Sequence, residues 1–295
     1  MTFQALGGKI SFLRSLTFSA VAVLSGLLVT PLEAEASEAK TFDYTSHGRS
    51  YRIWELAIGK APAEGYPLVV LLDGNQMFPK AATIAQQDGR PRLLIGIGYP
   101  EDDRKTIVER RYFDLTPKTP ENLLPLDQAG QPFAAGGLDE FTALLTNTIL
   151  PSISKRHRIN TEDSTLFGHS LSGLVALHVL FADLWSFTEY FAADPSVWWK
   201  NGAILSELEA FAETPQTRPK RLVITTSGRR REHEEASSAA STRMRSLRGG
   251  PTGKEVADHL AAKPSLTVTY KPMSNESHGS MVEPSLRWLL TRWSV

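Results

Sequence analysis

Beyond residue 36 the chain alternates short, nearly continuous apolar runs with longer stretches in which apolar positions recur every three or four residues. The apolar runs at 51–56, 67–72, 92–97, 164–167, 190–193, 221–226 and 265–270 predict strands. Several lack a polar alternate position, which suits strands covered on both faces. The segment 136–158 places Asp139, Phe141, Leu144, Leu145, Ile149 and Ile153 at helical spacing, with Pro151 marking a kink. Further helices are expected at 175–180 and at 282–293. Strands followed by helices, with no internal repeat and no low-complexity linker, predict an α/β architecture: one mostly parallel central sheet with helices on both faces.

The first residues follow a different pattern. Lys9 and Arg14 precede an apolar stretch from Leu16 to Val29, Pro31 ends it, and Ala34-Glu35-Ala36 is followed by Ser37. A basic flank, a short apolar core and small residues at an A-x-A site are the parts of a secretory signal peptide. The expected organisation is therefore a signal peptide at 1–36 and a single domain at 37–295, exported to the periplasm, with an uncleaved anchor as the alternative.

Composition narrows the chemistry. The 295 residues include no cysteine, which removes disulfides, thiolate metal sites, a Cys nucleophile and a lipoprotein anchor. Lys and Arg number 32 and Asp and Glu number 32, a balance kept when 1–36 is removed. Zero net charge gives no global reason to expect nucleic acid as a partner.

The most informative motif is Gly168-His169-Ser170-Leu171-Ser172-Gly173, set between the strand 164–167 and an apolar helix opening at Leu171. Strand, sharp turn and helix form the context of a nucleophile elbow, in which small flanking residues let helix pack on strand and the serine hydroxyl project from the sheet edge. Ser172 stands where the G-x-S-x-G pattern has its last glycine. A serine hydroxyl needs a base. Of seven histidines, His278 in Asn275-Glu276-Ser277-His278-Gly279-Ser280 follows the last strand, where a loop returns to the same edge; a surface helix cap is its bland reading. His169 is expected to point away from Ser170. An oxyanion hole would combine the N–H of Leu171 with one from the loop Leu71-Leu72-Asp73-Gly74-Asn75, Asn75 being the favoured donor and an ordinary Asp-Gly turn the alternative.

Six blocks together resemble one known family. Leu71-Leu72-Asp73-Gly74-Asn75, Arg110-Arg111-Tyr112-Phe113-Asp114-Leu115-Thr116-Pro117, Gly136-Gly137-Leu138-Asp139-Glu140-Phe141, the Ser170 motif, Asp194-Pro195-Ser196-Val197-Trp198-Trp199 and Glu276-Ser277-His278-Gly279-Ser280 run in the family's order. The sequence is similar to the siderophore esterases of the esterase D-like α/β-hydrolases, which open the trilactone of enterobactin and salmochelin. The resemblance implies an α/β-hydrolase fold, Ser170 as nucleophile and His278 as base, with no metal or organic cofactor. Iron would arrive with the substrate.

In such relatives a glutamate follows the strand matching 221–226, whereas here Ser227-Gly228-Arg229-Arg230-Arg231-Glu232-His233 puts arginines in that place. Glu232 ranks first as the acid, with Asp194 and Glu276 as alternatives and a Ser–His dyad also compatible. The resemblance further implies a small-molecule ester substrate such as a ferric catecholate siderophore. Arg110 and Arg111, with some arginines of 218–248, would attract that anion, and Trp198 and Trp199 would offer flat surface for catechol rings. Core tryptophans and a solvated basic face are the competing readings. A general carboxylesterase or thioesterase, and a catalytically inert siderophore-binding protein, are the functional alternatives.

Overall fold

A computed structural model describes residues 38–216, 218–228 and 238–292. The expected signal peptide at 1–36 and Glu232 lie outside the described residues.

Among the described residues, eight strands form one sheet: β1 (Lys40–Ser46), β2 (Arg49–Ile58), β3 (Tyr66–Leu72), β4 (Arg92–Gly98), β5 (Ile159–His169), β6 (Glu189–Ala193), β7 (Lys220–Ser227) and β8 (Leu266–Met273). Their order is β1-β2-β4-β3-β5-β6-β7-β8. Only the β1–β2 and β2–β4 pairs are antiparallel. From β4 to β8 the strands are parallel, so the carboxyl ends of β3, β5, β6, β7 and β8 meet along one edge.

Side-chain alternation explains why β3 and β4 read as nearly unbroken apolar runs. In β3, Leu68, Val70 and Leu72 enter the core cluster on one face, while Val69 and Leu71 enter the cluster on the other. Leu166 and Phe167 of β5 divide in the same way. Helices α1 (Gly74–Asp88) and α10 (Val282–Thr291) supply the smaller cluster. On the opposite face pack α5 (Leu171–Phe181), α7 (Ile204–Glu213) and α9 (Gly253–Leu260). Helices α2 (Arg104–Asp114), the short α6 (Trp199–Gly202) and α8 (Ala239–Leu247) also occur among the described residues.

The expected long helix is interrupted. It runs as α3 (Leu138–Leu144), a π-helical turn (Leu145–Ile149) and α4 (Leu150–Arg156). Pro151 brings no N–H to the helical ladder, and the widened turn lies immediately before α4 rather than at the proline itself.

Strand β1 was not foreseen from the pattern. It is an edge strand whose alternate residues are exposed, with Phe42 and Tyr44 packing on the core from one side. At the other edge β8 extends beyond the expected segment to include Pro272, which an edge strand tolerates. Among the described residues no helix is long and apolar enough to cross a membrane.

Candidate active site

Ser170 sits in the turn between β5 and α5 with φ 61° and ψ −117°, a conformation that L-residues rarely adopt. The turn is held from both sides. The Ser170 N–H donates to the Ala193 carbonyl (2.9 Å), and the Ser170 carbonyl accepts from the Ser196 N–H (3.0 Å) and from Leu174 (3.1 Å). Small residues are required on either side. A Cβ on Gly168 would run into the Ser172 carbonyl, and one on Gly173 would stand 3.1 Å from the Pro195 backbone.

Three side chains from three strand ends meet here. The His278 imidazole, from the loop between β8 and α10, has Nε2 3.0 Å from Ser170 Oγ. Its Nδ1 is 2.7 Å from Asp194 Oδ2, at the end of β6. A carboxylate only accepts, so the ring proton sits on Nδ1 and Nε2 is free to accept from the serine hydroxyl. Asp194 has φ 43°, which curls it back toward β7; there it accepts from Ser227 Oγ (2.6 Å) and Ser227 N–H (3.2 Å). Burial alone would push the Asp194 carboxyl up, but the bonds from His278 and Ser227 hold it below the ordinary carboxylate range.

His169 touches the base. Its Nε2–H donates to the His278 carbonyl (2.7 Å), and the two rings lie 4.5 Å apart. Burial, with the neighbouring His278 ring adding to it, brings the His169 imidazole down to about 4. The His278 loop is closed by further backbone bonds: Gly228 N–H donates to the carbonyls of Met273 (3.1 Å) and Glu276 (3.2 Å), and a Cβ on Gly228 would sit 2.5 Å from Ser274 Cα.

Asn75 and Leu171 each lie in the first turn of a helix, α1 and α5, where an N–H has no intrahelical acceptor. The Asn75 side chain is bound twice to Tyr99, donating to its carbonyl and accepting from its N–H, both at 2.8 Å. This fixes the loop after β3 against the loop after β4.

The other expected site residues have partners within the protein. Arg111, whose charge was assigned to an anionic substrate, grips Asp73 with two parallel bonds; although burial opposes the charged guanidinium, Asp73 raises its pKa. Arg110 is held by Glu101 (3.0 Å) and the Ser50 carbonyl (2.9 Å), and lies over the rings of Tyr51 and Tyr99. Trp199 is a buried residue whose indole N–H donates to Thr119 (2.9 Å), so its ring offers no open surface. Trp198 is half-buried, with the Arg248 guanidinium 5.7 Å from its ring centroid.

In the arginine-rich segment, Arg218 pairs with Glu162 and Arg221 with Glu189 at the amino end of β7, opposite the Ser170 edge. Arg243 donates to the carbonyls of Glu121, Asn122 and Leu124. Arg229, Arg230 and Arg231 lie outside the described residues. Glu276 accepts from Ser280 Oγ. Asp194, one of the two alternatives to Glu232, is the carboxylate bonded to His278. The local signal for it was an Asp-Pro step directly after a buried strand.

Chemically, a hydroxyl bonded to an imidazole whose far nitrogen is bonded to a carboxylate can lose its proton as it attacks a carbonyl carbon. Among the described residues no group of three or more His, Asp or Glu is placed to hold a metal ion.

The parallel sheet, the strained serine turn and the histidine after the last strand define the α/β-hydrolase class. Residues 55–246 match the Esterase family model, and the chain belongs to that family. It is 37% identical over 163 residues to the siderophore enterobactin esterase of Emericella nidulans, covering 52% of this chain and 54% of that one. It is 35% identical over 155 residues to the siderophore triacetylfusarinine C esterase of Aspergillus fumigatus, half of each chain. The chain thus spans about half the length of the curated relatives it matches. The solved siderophore hydrolase EstA from Aspergillus nidulans superposes with a TM-score of 0.69 at 26% identity, over 95% of this chain and 98% of that one.

Proposed function

We propose that the chain is a serine esterase that hydrolyses ester (lactone) bonds of a catecholate siderophore such as enterobactin or salmochelin, for iron release or processing. The observation that carries this reading is the hydrogen-bonded series Ser170–His278–Asp194 at the carboxyl edge of the sheet.

In this reading Ser170 Oγ attacks the ester carbonyl carbon while His278 Nε2 takes the hydroxyl proton. The N–H groups of Leu171 and Asn75 stabilise the negative charge on the carbonyl oxygen. Collapse of the tetrahedral intermediate breaks the ester C–O bond, and His278 returns the proton to the leaving alcohol. Water then repeats the sequence on the acyl-enzyme and frees Ser170. Asp194 keeps the imidazole in the required tautomer and faces the positive charge it acquires. Every proton in these steps moves between protein groups, substrate and water, and iron enters as cargo of the substrate.

Trp198 supports the aromatic part of the proposal. It lies two residues beyond Ser196, whose hydroxyl is 3.4 Å from Ser170 Oγ, and its ring with the nearby Arg248 suits an anionic catechol. Residues 1–36 serve as the export signal and 37–295 as the periplasmic hydrolase domain, a division motivated by the basic flank, apolar core and A-x-A site.

The engagement of Arg110 and Arg111 by carboxylates favours one alternative, a carboxylesterase or thioesterase whose acyl substrate is unrelated to iron. Turnover of iron-free and ferric enterobactin, set beside that of short p-nitrophenyl esters, separates the two. Faster specific turnover of the trilactone supports the siderophore reading; hydrolysis of p-nitrophenyl esters alone rejects it.

A further inference from the structure

The two N–H groups assigned to the oxyanion stand in the first turns of different helices, Asn75 in α1 after β3 and Leu171 in α5 after β5. These strands are parallel neighbours, and their pairing runs out at Leu71 and Phe167, before either helix begins. Beyond that point the ladder no longer fixes the distance between the two turns. One side-chain bond does. Ser172 Oγ lies 2.7 Å from Asp73 Oδ2 and 2.9 Å from the His169 carbonyl, and accepts from the His169 N–H at 2.8 Å; its single proton goes to the carboxylate, the stronger acceptor.

Both ends of this bond are rigid. Ser172 is fully buried in the first turn of α5, directly after Leu171. Asp73 is a buried residue in the left-handed region at φ 57°, and it leads straight into Gly74 and Asn75. Its carboxylate is oriented from the far side by Arg111 of α2, through two bonds. The result is a chain of three side chains, Arg111 to Asp73 to Ser172, that ties the loop carrying one donor to the turn carrying the other. Glycine, the residue that the G-x-S-x-G pattern has at this position, has no hydroxyl with which to make the bond.

We propose that Ser172 is a positioning residue: its hydroxyl bond to Asp73 sets the spacing between the Asn75 and Leu171 N–H groups, and so the stabilisation of the oxyanion. This rests on the esterase reading and on those two groups being the donors. A donor displaced by about an ångström loses much of its effect on the transition state and little of its effect on ground-state binding.

The test uses the whole chain with a p-nitrophenyl ester, its thionoester counterpart, and the variants Ser172→Ala, Ser172→Gly and Ser172→Thr. Glycine removes the hydroxyl while restoring the elbow pattern, so it guards against a folding failure confined to alanine. Both Ala and Gly are expected to lower kcat about ten- to a hundredfold with KM within about twofold, and to lower the preference for oxygen over sulfur at the carbonyl. Threonine, which keeps a hydroxyl, is expected to recover most of kcat. A wild-type chain that turns over the ester, with Ala and Gly variants retaining kcat and the oxygen preference, overturns the inference alone. A wild-type chain without any ester hydrolysis overturns the esterase reading and the inference with it.

Discussion

Replacing Asp194 by asparagine probes the bond that orients the base. The substitution keeps size and shape, and the amide oxygen can take the Oδ1 position, where it still accepts from the Ser227 N–H. The amide nitrogen then occupies the Oδ2 position, 2.7 Å from His278 Nδ1. A donor there drives the ring proton to Nε2, the atom that must accept from Ser170 at 3.0 Å. The variant also removes the negative charge facing the imidazolium. In a fully enclosed serine protease triad the equivalent change lowers kcat about ten-thousandfold. The His278 side chain is 41% exposed, so water screens part of the charge. A loss of about a hundred- to a thousandfold in kcat follows, about 2.7 to 4 kcal/mol on the barrier, with KM nearly unchanged. Initial rates against a p-nitrophenyl ester give both constants, with Glu232→Gln as the parallel control expected to stay within about twofold. An Asp194→Asn enzyme within about threefold of wild type, or a large loss in Glu232→Gln, refutes the assignment of the acid.

Three further outcomes are expected. His169 is neutral in folded and unfolded chains above pH 6.5; between 6.5 and about 4 only the unfolded chain takes up the proton, so stability falls as pH falls, by about 3 kcal/mol in all. Urea titrations at pH 7 and pH 4 check this, because His169→Gln should lose less stability over that interval than wild type, and parallel losses would contradict it. Gly168→Ala drives a Cβ into the Ser172 carbonyl and should destabilise the chain by about 1–3 kcal/mol in urea unfolding; an unchanged midpoint would show that the turn has room. Trp198→Ala should raise KM for a catecholate trilactone severalfold while leaving a short p-nitrophenyl ester within about twofold, and equal effects on both substrates would remove Trp198 from substrate recognition.

Burial on both faces is what made most of the sheet readable. Strands β3 and β4 are apolar at almost every position, and β5, β6 and β7 carry shorter buried apolar segments, because successive side chains enter different core clusters, and such runs stand out in a sequence. The edge strand β1 has only Phe42 and Tyr44 directed to the core and left no comparable trace. Ser170 and His278 were readable because each is tied to a local context, a strand–turn–helix and the loop after the last long strand. The carboxylate was harder. Its partner depends on how far the end of β6 curls toward Ser227, a matter of backbone conformation at Asp194 rather than spacing. The ion pairs of the arginines were hidden for a related reason: Asp73 and Glu101, which hold Arg111 and Arg110, belong to other segments, and the sequence alone does not reveal that they meet.

Incubation of the chain and of its Ser170→Ala variant with a cyclic trilactone siderophore, followed by chromatographic separation of the products, tests the central claim most directly. Wild type should convert the macrocycle to linear, ring-opened products, and Ser170→Ala should leave it intact while keeping the wild-type circular dichroism spectrum. Linear products formed equally by the folded Ser170→Ala variant, or an intact macrocycle after prolonged incubation with wild type, would contradict the account.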